Sequence, residues 1–145
     1  RVKIQSPKGA KYLVTSPERS RIMTSVKSVG NKSTEARLAR ILRAYGLAGW
    51  RRHQRLPGSP DFVYRRQRVA IFVDGCFWHG CPRCYAPPTA NADFWRQKFA
   101  YNRARDRRLR RHLRALGWRV LSIWEHSLRN EASVAKRVAR ALSDR

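Results

Sequence analysis

All three cysteines of the chain fall between Cys76 and Cys84, inside the run DGCFWHGCPRC that starts at Asp74. No other feature restricts the fold as strongly, because three thiols so close together either share an ion or are unrelated buried groups. An odd number in one loop cannot form a disulfide framework, which needs pairs spread along a chain, and it points to a reducing compartment. A structural tetrahedral zinc site accepts three cysteines and one histidine. The histidines on offer are His53, His79, His112 and His126. His79 lies within the loop, where so short a ring closes awkwardly, and His112 falls on a basic helical stretch. His126 directly follows WRVLSIWE, a run that reads as a buried strand, so the core fixes its position. Cys76, Cys81, Cys84 and His126 are therefore the expected zinc ligands, and the role is structural because protein fills every position. The C-x4-C-x2-C spacing also opens plant-type iron–sulfur clusters, but those need a fourth cysteine.

The loop sits inside one expected domain. From Ser33 the apolar residues Leu38, Ile41, Leu42 and Tyr45 recur at helical spacing, Ser33 or Thr34 can cap, and Gly46 terminates the helix. LPGSPDFV then forces a turn. Asp61–Tyr64 and Val69–Asp74 read as a hairpin across the polar Arg65–Arg68, which sets Asp61 roughly opposite Val73. Asn91 is expected to cap a long helix, Ala92 to Leu116, that turns Phe94, Trp95, Phe99, Leu109, Leu113 and Leu116 inward and stops at Gly117. Trp118–Glu125 follows as a strand and Ser133–Leu142 as a last helix. This order predicts an α/β fold with a mixed central sheet flanked by helices. Residues 1–18 read as a basic flexible arm and 19–145 as the domain. No apolar run suits a membrane span and no export signal opens the chain, so a cytoplasmic location is expected.

Charge then narrows the partner. Lys and Arg number 33 against 9 Asp and Glu, a formal +24. A surface so lopsided repels itself unless a polyanion compensates it. No basic amphipathic stretch carries the broad apolar face that a membrane surface would need, so nucleic acid is favoured and no membrane partner is expected. Arg105, Arg107, Arg108, Arg110 and Arg111 are the expected phosphate contacts, which position a protein without reading sequence.

Against that background each carboxylate raises a question. Asp61 at a strand start, with a second strand ending beside it, offers a carboxylate and a backbone carbonyl to Mg²⁺. Such an ion keeps waters that can attack a phosphodiester. The competing readings are a turn residue for Asp61, a helical pair with Arg103 or Arg110 for Asp106, and dipole compensation for Glu35. His79 titrates near neutrality and suits acid–base work, unless it is a hydrogen-bonded structural residue.

The segments PGSPDFV, VAIFVDGCFWHGCPRC, FW…N-x-x-x-D from Phe94 to Asp106, and LGWRVLSIWEHSL together resemble the very-short-patch mismatch repair endonucleases, from about Ser20 to Leu128. The resemblance implies a restriction-endonuclease-like core with a structural zinc, and nicking of one DNA strand 5′ of the thymine in a T:G mismatch left by deamination of 5-methylcytosine. It makes Asp61 the Mg²⁺-binding aspartate and the Val73 carbonyl a second contact. His79 becomes the catalytic histidine, and Glu35 and Asp106 place metal-bound waters. Phe77 and Trp78 become a wedge inserted beside the mismatch, with Met23 wedging from the other side; the alternative is that the two aromatics are core. Asp74 stands where certain members have histidine, which leaves its role open, including that of an added metal ligand. A single asymmetric lesion suits a monomer, in the nucleoid, with functional links to a cytosine-5 DNA methyltransferase and mismatch repair proteins. Two rival readings remain: a restriction or defence nuclease of the same fold cutting intact duplex, and a non-catalytic zinc-bearing DNA-binding module.

Overall fold

The computed structural model describes residues 33–76, 81–84 and 89–144. Helix α1 spans 33–44, followed by strands β1 (Phe62–Tyr64) and β2 (Val69–Asp74), helix α2 (Ala92–Ala115), strand β3 (Arg119–Trp124), a 3₁₀ turn (Glu125–Arg129) and helix α3 (Glu131–Ser143). The strands form one sheet in the order β1-β2-β3, with β1 antiparallel and β3 parallel to β2. The predicted mixed sheet with flanking helices is what the chain adopts.

Alternation along β2 explains the layers. Val69 and Ile71 face one way, with Phe62, Tyr64 and Ile123, onto Leu38, Ile41 and Leu42 of α1 and Val134, Ala135 and Val138 of α3. Ala70 and Phe72 face the other way, onto Leu113 of α2, flanked by Leu56, Trp118 and Val120. β2 is thus covered on both faces, which suits its near-continuous apolar sequence. Tyr64 is fully buried, and its hydroxyl is satisfied by donating to the Leu47 carbonyl at 2.8 Å.

The two glycine stops hold for a shared reason. Gly46 and Gly117 take φ of 67° and 88°, where a side chain is strained. Beyond each, a paired hydrogen-bond motif closes the helix: Leu47 N to Leu42 O and Gly46 N to Arg43 O, then Trp118 N to Leu113 O and Gly117 N to Arg114 O.

Several details differ from the sequence expectation. Phe62 pairs with Ile71, which shifts the hairpin by one residue and puts Asp61 beyond the paired strand opposite Phe72. Asn91 adopts φ 56° and makes no side-chain cap, so α2 starts without one. Leu116 is 47 % exposed because α2 has already ended, and Tyr45 is 48 % exposed past the last turn of α1. Of the α2 residues expected inward, Phe99 and Leu113 are buried, whereas Phe94, Trp95 and Leu109 are half-buried. In β3 only Ile123 is fully buried. Helix α3 begins earlier, at Glu131, because the Asn130 side chain accepts from Ser133 N at 3.1 Å and caps it.

Candidate active site and metal centre

The functional side chains gather at one end of the sheet, where β1 begins and the parallel strands β2 and β3 finish. A cleft of about 150 Å³ opens there, lined by Glu35 of α1, Gly58, Asp61, Val73 and Asp74, and Asp106 and Arg110 of α2, among others. Four of the nine acidic residues therefore converge on one cleft in a strongly cationic chain. Gly58 (φ 79°) allows the approach: a Cβ there would meet Leu109 and Phe72 at 3.3 Å, so the loop before Asp61 packs directly on α2 and β2.

Asp61 is held at the strand end by its own Oδ2, which accepts from the Val73 N–H at 2.7 Å. The shifted register thus still brings Asp61 and Val73 together, through a side chain rather than a strand pair. Desolvation raises the Asp61 carboxyl to about 7, assisted by the hydrogen bond and charge of Glu35 and the charge of Asp74, against the opposing effect of the Val73 N–H. The carboxylates around Asp61 offer oxygen donors, the kind that a hard divalent cation takes. Glu35 itself receives Arg52, whose guanidinium also lies 5.4 Å from the Phe62 ring centroid. Asp106 lies 3.5 Å from Arg105.

Arg110 takes a different place from its neighbours. It was expected on phosphate, but its side chain is only 16 % exposed. It donates to Asp74 Oδ1 at 2.7 Å and to Ser122 Oγ at 2.8 Å, and lies 4.7 Å over the Phe72 ring. Its guanidinium is engaged inside the fold. Arg107, Arg108 and Arg111 are exposed, and Arg105 lines the cleft. Arg52 was not singled out from the sequence at all, because nothing local distinguishes it from Arg51. For Arg110 a signal existed: it sits four residues from Asp106 and three from buried Leu113, on the inward face of the helix.

Two residues beyond Asp74 the cysteine set begins. Cys76, Cys81, Cys84 and His126 present ligand atoms all within 4.8 Å of one another. His126 Nδ1 is 3.4 Å from each of the three Sγ atoms. A tetrahedron of thiolates and imidazole about one ion places S and N about 3.6 Å apart, so the residues fit such a group. Desolvation and the adjoining Cys84 and Cys81 thiols push the Cys76 thiol up to about 12, against the His126 backbone N–H. Three thiols this close resist ionising together, and a cation among them would hold them as thiolates. The 3₁₀ turn after β3 carries His126, as the strand-end placement predicts. Met23, Phe77, Trp78 and His79 lie outside the described residues.

Comparison with known proteins bears on this site. The family described as DNA mismatch endonuclease Vsr matches residues 12–85.

The chain belongs to the Vsr family.

The DNA mismatch endonuclease Vsr of Escherichia coli (strain K12) is 42% identical over 109 residues, 72% of this chain and 69% of that protein. The type II nicking enzyme V.XorIIP of Xanthomonas oryzae pv. oryzae is 37% identical over 130 residues, 88% of this chain and 94% of that one. Among solved structures, the catalytic domain of the homing endonuclease I-Bth0305I aligns with a TM-score of 0.46 and 21% identity, over 74% of this chain and 91% of that one. As a Vsr-family member the chain is a DNA endonuclease, a phosphodiester hydrolase. The non-catalytic binding module is thereby set aside. No described helix is long and apolar enough to cross a membrane.

Proposed function

We propose that the chain nicks one strand of duplex DNA 5′ of the thymine in a T:G mismatch, with Mg²⁺ at Asp61 and a structural zinc at Cys76, Cys81, Cys84 and His126. The observation that carries this reading is the convergence of Glu35, Asp61 and Asp106 on one cleft of a chain with net charge +24, with Asp74 beside them held by Arg110. Carboxylates on a DNA-binding surface repel phosphate unless a cation bridges them. The family to which the chain belongs supports the mismatch substrate.

In this reading Asp61 and the Val73 carbonyl hold the Mg²⁺, a hard ion that prefers oxygen donors. Bound there, it supplies charge neutralisation at the phosphate and a water of lowered pKa. Glu35 and Asp106 accept hydrogen bonds from the attacking water and orient it, and Arg52 holds Glu35 in place. His79 carries a proton between the reacting oxygens. Phe77 and Trp78 wedge beside the mismatched pair, and Met23 wedges from the other side. A mismatched step lowers the cost of unstacking, which makes insertion selective. A zinc held by Cys76, Cys81, Cys84 and His126 would stiffen the loop that carries the wedge. Arg105, Arg107, Arg108 and Arg111 meet backbone phosphates.

The Xanthomonas relative is named a type II nicking enzyme, and a second reading is a nuclease of the same fold in a restriction or defence role that acts on intact duplex. End-labelled duplexes that differ only at one pair, T:G against T:A and C:G, separate the two. They are incubated with Mg²⁺ or EDTA in several methyltransferase target contexts. A single nick 5′ of the mismatched thymine, absent with EDTA, supports the first reading. Cutting of all three duplexes supports the second, and EDTA-resistant cutting refutes the role given to Asp61.

A further inference from the structure

Arg110 is the one arginine of the basic helix whose guanidinium is spent inside the protein. It joins three elements. From α2 it donates to Asp74 at the end of β2 and to Ser122 on β3, while its plane lies over Phe72 of β2. Asp74 is itself 4 % exposed and faces α2, as its place in the β2 alternation requires. Among the described residues Arg110 Nε is buried without a partner, so the guanidinium is largely desolvated. An arginine buried at that cost, in a chain with many exposed ones, is a fixed structural cation.

Its place makes it more than a core contact. Asp106 lies one turn earlier on the same helix, and Val73 is the neighbour of Asp74. Fixing Arg110 on Asp74 therefore fixes the distance between Asp106 and the strand end that carries the Val73 carbonyl. It also occupies Asp74, whose carboxylate would otherwise be a fourth anion at the cleft.

We propose that Arg110 is a positioning residue of the nuclease centre: by clamping Asp74, Ser122 and Phe72 it sets α2, and with it Asp106, over the end of β2, and it keeps Asp74 out of the cation's coordination. Asp74 is then an anchor and not a metal ligand. This rests on the reading that Asp61 holds the divalent ion.

The test combines calorimetric titration of Mn²⁺ into the full chain carrying its zinc with single-turnover nicking of a T:G duplex. Mn²⁺ prefers oxygen over thiolate donors, so it reports the cleft. Asp61→Asn examines the underlying reading by itself and is expected to lose Mn²⁺ binding. Asp74→Asn, which can still accept from Arg110, is expected to keep Mn²⁺ affinity within about threefold of the original chain, since only a screened charge is removed. Arg110→Gln is expected to bind Mn²⁺ more tightly, because Asp74 is released, and yet to nick about tenfold or more slowly, the scale seen when a supporting residue is lost. Arg110→Lys, which keeps the cation, recovers much of the rate. Tighter binding joined to slower chemistry is not what simple destabilisation produces. Loss of about tenfold or more in Mn²⁺ affinity on Asp74→Asn, the scale of losing a metal-supporting group, overturns the proposal, as does undiminished nicking by Arg110→Gln. If Arg110→Gln fails to fold, the Asp74→Asn affinity and the Arg110→Lys rate decide it. Unchanged Mn²⁺ binding by Asp61→Asn would overturn the reading of Asp61, a result distinct from either.

Discussion

Asp61→Asn is expected to stabilise the protein while removing its activity. The carboxyl is raised from 3.8 to about 7 in the folded chain. A raised acid means that the folded state binds the proton more tightly than the unfolded one. Well below pH 3.8 both states are protonated and nothing is lost; between pH 3.8 and 7 only the unfolded state gives up its proton, so the penalty on the folded state grows across that window and levels off above 7. Three pKa units correspond to about 4 kcal/mol at the alkaline limit. Asparagine avoids that penalty but accepts from the Val73 N–H as a neutral group, which forfeits about 1 kcal/mol. Water also reaches part of the half-buried carboxylate, so the expected net gain is about 1–3 kcal/mol at pH 8.5, falling close to zero at pH 4. Urea unfolding in EDTA at the two pH values measures it. A gain equal at both pH values, or a loss at pH 8.5, refutes the account of Asp61 as a carboxylate starved of a cation. In excess Mg²⁺ the order should reverse, since only aspartate binds the ion.

Other perturbations probe the remaining parts. His126→Ala removes the one ligand outside the loop and is expected to leave the chain with less than one equivalent of zinc, read by metal release to a chromogenic chelator; full zinc retention would contradict the ligand assignment. Replacing Arg107, Arg108 and Arg111 together by Ala is expected to lower the slope of log binding constant against log salt by about 3, and an unchanged slope would remove these residues from the phosphate contacts. Leu113→Ala empties a fully buried site between α2 and the sheet, and the expected loss is about 2–5 kcal/mol by urea unfolding; a loss below about 1 kcal/mol would mean that this face collapses onto the gap.

What the sequence makes legible follows from how local the physics is. Gly46 and Gly117 announce the ends of their helices because a left-handed residue is a local requirement. The cysteine set is legible because zinc chemistry imposes composition and spacing, and His126 could be chosen because it follows a strand. The helical spacing of Arg110 from Asp106 and Leu113 marks its inward face, but its partner is not legible, since Asp74 stands 36 residues away. The one-residue hairpin shift has the same origin: the four-residue turn permits either register, and packing of Phe62 and Ile71 against α1 and α3 decides it. Asn91 shows the limit of a residue preference, since its own left-handed backbone removes the cap that its side chain suggests.

The sheet separates chemistry from maintenance. At the far end from the cleft, the turn Arg65–Arg68 meets the exit of α2: Arg68 donates to the Leu116 carbonyl at 2.6 Å and lies 5.5 Å from the Trp118 ring centroid, and Arg119 N donates back to Arg68 O at 2.8 Å. Arg66 and Gln67, between the anchored positions, are exposed. A reporter or tether grafted at that bend would sit on the side of the molecule away from the cleft, with the full length of β2 between the cargo and the carboxylates. The bend is therefore a handle by which this nuclease can be immobilised or tracked while its working end stays free to meet DNA.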